Sequence, residues 1–208
     1  MNKLIAIVVE ETAKRRIEAI NVRFIPHQEE FNRRASDINQ NLGKRSRSET
    51  YARFYGLLDD IAHLHGDDTA CRKGCSHCCH IAVAIPHIEA DEIAERIGVP
   101  HQTVPHTYKF KDFPYGYSRP CTFLDEKGLC SIYEHRPMTC RTHYSLAPDA
   151  SMCELTEEAR DEDVPYLNME PMQILGMQIA AFYQRGVPSL GEIRELFPTG
   201  LAVPESTL

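Results

Sequence analysis

All eight cysteines of this chain lie between Cys71 and Cys153, and residues 1–70 and 154–208 contain none. Cysteine used as small core filler would be scattered, because a buried face is ordinarily built from Leu, Ile, Val and Ala. Four of the eight fall in CRKGCSHCCH, residues 71–80: Cys71, Cys75, Cys78 and Cys79. The other four, Cys121, Cys130, Cys140 and Cys153, are spaced too widely to share one local turn. They converge on the first group only if the chain between them folds back over it. The fold is therefore constrained to gather thiols from distant segments.

The chemistry follows from spacing. Thiolates two to four residues apart can close on one soft cation from a short turn, and Cys75-Ser-His-Cys78 has a common chelate spacing. Amides of such a turn also donate to sulfur and spread its charge. On a helix the same positions, i, i+4, i+7 and i+8, would form one apolar stripe about 100° wide, but Gly74 argues against a regular helix here. Side chains of neighbouring residues diverge, so Cys78 and Cys79 either serve two different centres, or one of them faces the core. Eight thiols suffice for two zinc sites, for one cubane iron–sulfur cluster plus one zinc, or for a single cluster with spare redox thiols. Arg72, Lys73, Arg136 and Arg141 stand near the cysteines in sequence and could offset thiolate charge. His77, His80, His135 and His143 flank them and are expected as hydrogen-bonding neighbours.

Other classes are disfavoured. A net charge of −7 argues against a nucleic-acid backbone as partner. The apolar run LIAIVV, 4–9, is too short to span a bilayer and lacks the features of an export signal. We therefore expect a soluble, cytoplasmic protein. Thiols stay reduced in that compartment, which favours metal ligation over disulfides. Eight cysteines allow 105 disulfide pairings, but a bridge between adjacent Cys78 and Cys79 would strain the peptide. Expected partners are metal ions, with a protein partner left open and neither nucleic acid nor membrane expected.

Periodicity places the elements. Leu4, Ile7, Val8, Ile17, Ile20 and Phe24 predict a helix over 3–24, interrupted at Pro26. Helices are expected at 27–42, stopped by Gly43; at 50–65, with Tyr51, Phe54, Tyr55, Leu58 and Ile61 on one face; at 88–98, stopped by Gly98; and at 171–186, stopped by Gly186. IAVAI, 81–85, reads as a buried strand or more helix. Residues 99–120 hold four prolines and read as irregular. CTFLDEKGLCSIY, 121–133, reads as a hairpin turning at 126–128, and Pro137 opens a short helix carrying Cys140 and Arg141. TEEARDEDVP is acidic and expected to be solvated. One more short helix is expected after Pro188. The expected fold is mainly α, with a small irregular α+β cysteine-rich metal core carrying one short hairpin. It divides into an N-terminal helical flank (1–70), a cysteine-cluster metal-binding domain (71–160) and a C-terminal helical flank (161–208) packing on that domain. Residues 71–153 are expected to have little hydrophobic core of their own.

CRKGCSHCCHIAVAI followed by EADEIAERI resembles the CxxxCxxCC cysteine-cluster proteins, a family described as zinc- or iron-chelating. PCTFLDEKGLCSIYEHRPMTCR is similar to the second half of that pattern. The resemblance covers about residues 71–160. It implies metal ligation by Cys71, Cys75, Cys78, Cys79, Cys121, Cys130 and Cys140, while Cys153, in MCELTEEAR, resembles a later and less regular family cysteine. It implies zinc or iron as cofactor, including an iron–sulfur cluster; some members carry names such as iron–sulfur oxidoreductase. Flagellin lysine N-methylases contain a similar cysteine region, but no glycine-rich methyl-donor loop is present here, so that role is not carried over. Three functions remain open: an iron–sulfur protein with a redox or accessory role, a zinc-stabilised non-catalytic interaction module, and zinc or iron storage and delivery. No catalytic acid or base can be named.

Overall fold

The computed structural model describes residues 3–106, 115–155 and 164–201, with side chains from Ile7 onward. Eight residues of the acidic stretch (156–163), part of the proline-rich loop (107–114), the tail from 202 and the Leu4 side chain lie outside them. The fold is mainly α. Helices α1 (Lys3–Phe24), α2 (Gln28–Gln40) and α3 (Arg47–His63) precede the cysteines, with Pro26 in a single 3-10 turn between α1 and α2. Ser46 caps α3 by accepting from the Glu49 amide, which satisfies one of the amides the first turn leaves free. Strand β1 (Ala84–Pro86) runs straight into α4 (His87–Ile97). After the short α5 (Met138–Arg141), α6 (Glu170–Gln184) leads to strand β2 (Leu190–Glu192) and α7 (Ile193–Leu196).

The two strands pair antiparallel, Ala84 with Glu192 and Pro86 with Leu190. Sheet pairing thus joins segments about a hundred residues apart. The 121–133 segment does turn back on itself, but through a single bridge, Leu124 with Cys130. Its tight turn is closed by the Gly128 amide on the Asp125 carbonyl, 3.0 Å.

Helix α1 forms where periodicity predicts it, but buries a different face. Ile7 and Val8 are about half exposed, at 45% and 50%, whereas Val9, Ala13 and Ile20 are buried. The run LIAIVV is apolar all round and cannot select a face by itself. The choice falls to Arg16 and Arg23, which share the stripe of Val9, Ala13 and Ile20. Arg16 donates to the carbonyls of Ala147 and Pro148, and Arg23 to those of Leu64 and His65 and to Asp68. Helix ends follow the expected chemistry at α4 but not at α2 or α6; α2 ends at Gln40, short of Gly43, with Asn41 as its cap. Gly98 takes the left-handed conformation (φ +71°) that ends α4. At the end of α6, Arg185 rather than Gly186 adopts it (φ +58°).

Two apolar clusters flank the cysteine segment. One gathers α2, α3, α6 and Met138 around Phe54, Leu58 and Ile179. There α6 crosses close to its neighbours at Gly176, where a Cβ would collide with Met138 Sδ and meet the Phe54 ring at 3.0 Å. The second cluster joins Val83, Ile85, Ile93, Phe123 and Ile132 to Ile193, Leu196 and Phe197. The core beside the cysteines is therefore completed by the C-terminal segment.

Glu89 ties the two regions together. Its fully buried carboxylate accepts from Tyr55 of α3 and from the Met138 amide that opens α5, each at 2.7 Å. Burial pushes its pKa up. A raised carboxyl pKa means the folded state holds its proton longer, so this contribution to stability falls as pH rises through that pKa. Glu89→Gln keeps an acceptor for both donors and should flatten this dependence in urea unfolding. Glu89→Ala leaves both donors unsatisfied and should cost about 3 kcal/mol. The same measurement should show Gly176→Ala destabilised by about 1–3 kcal/mol through overpacking.

Candidate metal centre

All eight cysteines are unbridged thiols. CRKGCSHCCH does not form an α-helix: an irregular stretch with Gly74 at φ +93° leads into a 3-10 turn, His77–His80. The Cys79 amide closes this turn on the Ser76 carbonyl at 2.8 Å, and the Cys79 carbonyl accepts from the Cys121 amide at 2.7 Å. The second cysteine group is thereby docked onto the first. A further 3-10 turn, Ala150–Cys153, packs against His77–His80 and brings in Cys153.

The thiols surround two neighbouring cavities. The larger, about 100 Å³, is lined by Cys75, Cys78, Cys79, Cys121, Cys130 and Cys140, with apolar walls from Val83, Phe123, Ile132 and Ile193. The smaller, about 30 Å³, is lined by Cys71, Cys75, Cys78 and Cys153. Cys75 and Cys78 face both. Among the described residues, no three His, Cys, Asp or Glu side chains are drawn together tightly enough to hold a metal ion as they stand. The sulfurs ring space rather than meet at a point.

The backbone around them is arranged for thiolates. The amides of His77, Phe123 and Ile132 hydrogen-bond to the sulfurs of Cys75, Cys121 and Cys130, each from two residues further on. Amides three residues on, from Leu124 and Tyr133, close the same turns on the carbonyls of Cys121 and Cys130, at 2.9 and 3.2 Å. The Ser145 amide reaches the Cys71 sulfur at 3.2 Å. These donors favour the ionised form of sulfur that binds metal. The donor set and its backbone thus fit a soft thiolate-bound centre.

Without a cation, burial opposes ionisation. It pushes Cys71 and Cys121 up to about 11 and raises Cys75, Cys130 and Cys140 as well. Cys78 is the exception, brought down to about 7 by a hydrogen bond from the Cys79 thiol. Cys79 is correspondingly raised. Arg136 lines the larger cavity, with its guanidinium 4.0 Å from the Tyr133 ring centroid, and favours ionised Cys130 and Cys140. Arg72 does the same for Cys75. Arg141 turns away from the thiols: it pairs with Asp59, stacks over Tyr55 and donates to the Arg136 carbonyl at 2.8 Å. His77 bonds Tyr117 at 2.9 Å, and His80 stacks on the same ring.

Periodicity and motif spacing did not single out Arg194 or Glu192. Arg194 is buried and donates to the carbonyls of Cys79 (2.8 Å), Ile81 (3.1 Å) and Arg119 (3.1 Å). Glu192, fully buried, pairs with it and accepts from the Val83 amide at 3.1 Å. Two opposite charges two residues apart in a short C-terminal segment are a common pattern, so sequence carried no signal for this role. Arg194→Met would strand the Glu192 charge and three carbonyls. It should cost about 3–5 kcal/mol in denaturant unfolding and lower metal content, whereas the surface change Arg53→Met should do neither.

No curated protein and no solved structure matches the chain. Residues 70–166 match the family model CxxCxxCC, described as a "putative zinc- or iron-chelating domain". That segment includes every cysteine of the chain, both cavities' thiols and the turns that aim amides at them. Over residues 70–166, the chain is similar to the CxxCxxCC zinc- or iron-chelating domains.

Proposed function

We propose that this protein holds an iron–sulfur cluster in its larger cavity and serves a redox or accessory role in the reducing cytoplasm. The observation that carries the reading is the larger cavity: six thiols around about 100 Å³, with partly apolar walls. A single ion does not need that much room, whereas a cluster of several atoms does. Cys75, Cys78, Cys79, Cys121, Cys130 and Cys140 are the candidate ligands there. Cys71 and Cys153 belong to the same metal-binding surface.

A bound cluster would supply one-electron redox chemistry. The rest is the work of this chain's own residues. Amides of His77, Phe123 and Ile132 orient and stabilise thiolates. Val83, Phe123, Ile132 and Ile193 limit access of water, which protects a cluster from hydrolysis and shapes its potential. Arg136 offsets negative charge at the cavity wall. No helix among the described residues is long and apolar enough to cross a membrane.

Protein purified without oxygen should be brown, with broad visible absorbance, iron and acid-labile sulfide. A colourless protein with stoichiometric zinc would replace the cluster by a zinc-stabilised module. In that case chelation should unfold the cysteine segment, read as loss of ellipticity and of protease resistance.

A further inference from the structure

We infer that the eight thiols form two separate centres: a single-ion site of Cys71, Cys75, Cys78 and Cys153 in the smaller cavity, beside a larger one of Cys79, Cys121, Cys130 and Cys140. The inference rests on the reading above, that the thiols bind metal and that the larger set holds an iron–sulfur cluster.

Three observations lead to this division. The first is the cavities themselves. Cys71 and Cys153 line only the smaller; Cys79, Cys121, Cys130 and Cys140 line only the larger. A cysteine pair that never faces the larger cavity cannot serve a centre inside it. The second is size. About 30 Å³ suits one ion, and its rim offers four sulfurs, the number a closed tetrahedral zinc site takes. The third is the adjacent pair. The 3-10 turn His77–His80 presents Cys78 to both cavities and Cys79 only to the larger. Cys78 thus stands on the wall between the cavities, with the Cys79 thiol hydrogen-bonded to it from the larger side.

The smaller site is also built by separate parts of the chain. Cys71 is held by the Ser145 amide, and its thiol donates to the His143 carbonyl at 3.8 Å. The 3-10 turn Ala150–Cys153 packs on His77–His80, with Asp149 capping it by accepting from the Ser151 amide. None of these contacts involves the segment 121–140 that supplies the larger set. Cys75 and Cys78, on the shared wall, leave the larger set four thiols without them. The division is therefore four and four, with Cys75 and Cys78 on the wall between the two.

The consequence is a chain that binds two kinds of metal centre, a single soft divalent ion of the zinc class and a multinuclear iron–sulfur group. The first would cross-link residues 71–78 to 153 and so brace one side of the second.

The test counts metals per chain in protein purified without oxygen, together with visible spectra, for wild type and four variants. Cys71→Ser and Cys153→Ser should each lose about one equivalent of metal and keep the spectrum of the larger centre. Cys121→Ser and Cys140→Ser should lose that spectrum and keep the single ion. If all four variants lose the same signals together, one centre uses all the thiols and the division is overturned. It is also overturned if Cys153→Ser loses no metal. Should a variant fail to fold, judged by circular dichroism, the wild-type count decides: one centre per chain overturns the inference, two centres support it. A wild-type chain with no bound metal would instead defeat metal binding itself, and the inference with it.

Discussion

The cysteine segment depends on Arg194. Loops without a helix or strand ladder leave their carbonyls to find partners elsewhere, and the residues around Cys79 and Cys121 are such loops. One guanidinium takes the carbonyls of Cys79, Ile81 and Arg119 at once. It thereby fixes the end of the first cysteine group against the start of the second. Its charge is balanced by Glu192, which also takes the Val83 amide, so neither ion is buried alone. A planar, five-donor group suits this task in a way that lysine would not. Strand β2 ends in Glu192, set opposite Ala84 by its register against β1, and α7 carries Arg194 directly after it. The sheet thus holds Glu192 beside the thiol loops.

A second constraint is electrostatic. Gathering eight thiols in a partly dry site raises the energy of every thiolate, and burial dominates the shifts at Cys71, Cys121 and Cys140. Amides aimed at sulfur and the Arg136 charge counter this in part. The balance leaves most sulfurs protonated without a cation, so a bound cation supplies what the protein withholds. That is the expected behaviour of a site in which metal affinity and folding are linked. Cys78 differs because its neighbour donates to it, and it lies on the wall between the cavities.

Much of this was legible in the letters, for identifiable reasons. The gathering of cysteines, the Cys75-to-Cys78 turn and the Gly98 stop of α4 follow from local spacing and capping, where neighbours in sequence are neighbours in space. The buried face of α1 was not legible, because an evenly apolar run has no preferred side until Arg16 and Arg23 meet carbonyls from residues 64–65 and 147–148. The Arg185 stop of α6 was missed because glycine one position later is the more favourable left-handed residue. Pairing of IAVAI with 190–192 was beyond reach for the same reason as Arg194: both depend on contacts across a hundred residues, which no local period encodes.

Long-range dependence of this kind has a consequence for how the protein assembles. The family match ends at residue 166, yet Ile193, Leu196 and Phe197 complete the apolar cluster beside the thiols. Cys79, Cys130 and Cys140 pack against that cluster, whereas Cys71 packs against the helical one. The first cysteine group therefore spans both cores, with Cys71 on the helical one and Cys79 on the one that holds Cys121, Cys130 and Cys140. Glu89 bridges those cores through Tyr55 and the start of α5. Closing the loops from 79 to 121 and from 140 to 193 costs chain entropy that thiol contacts alone do not repay. The helical flanks and the buried charges hold these segments together in the folded chain. In this architecture the metal completes a frame that the rest of the chain has already brought close.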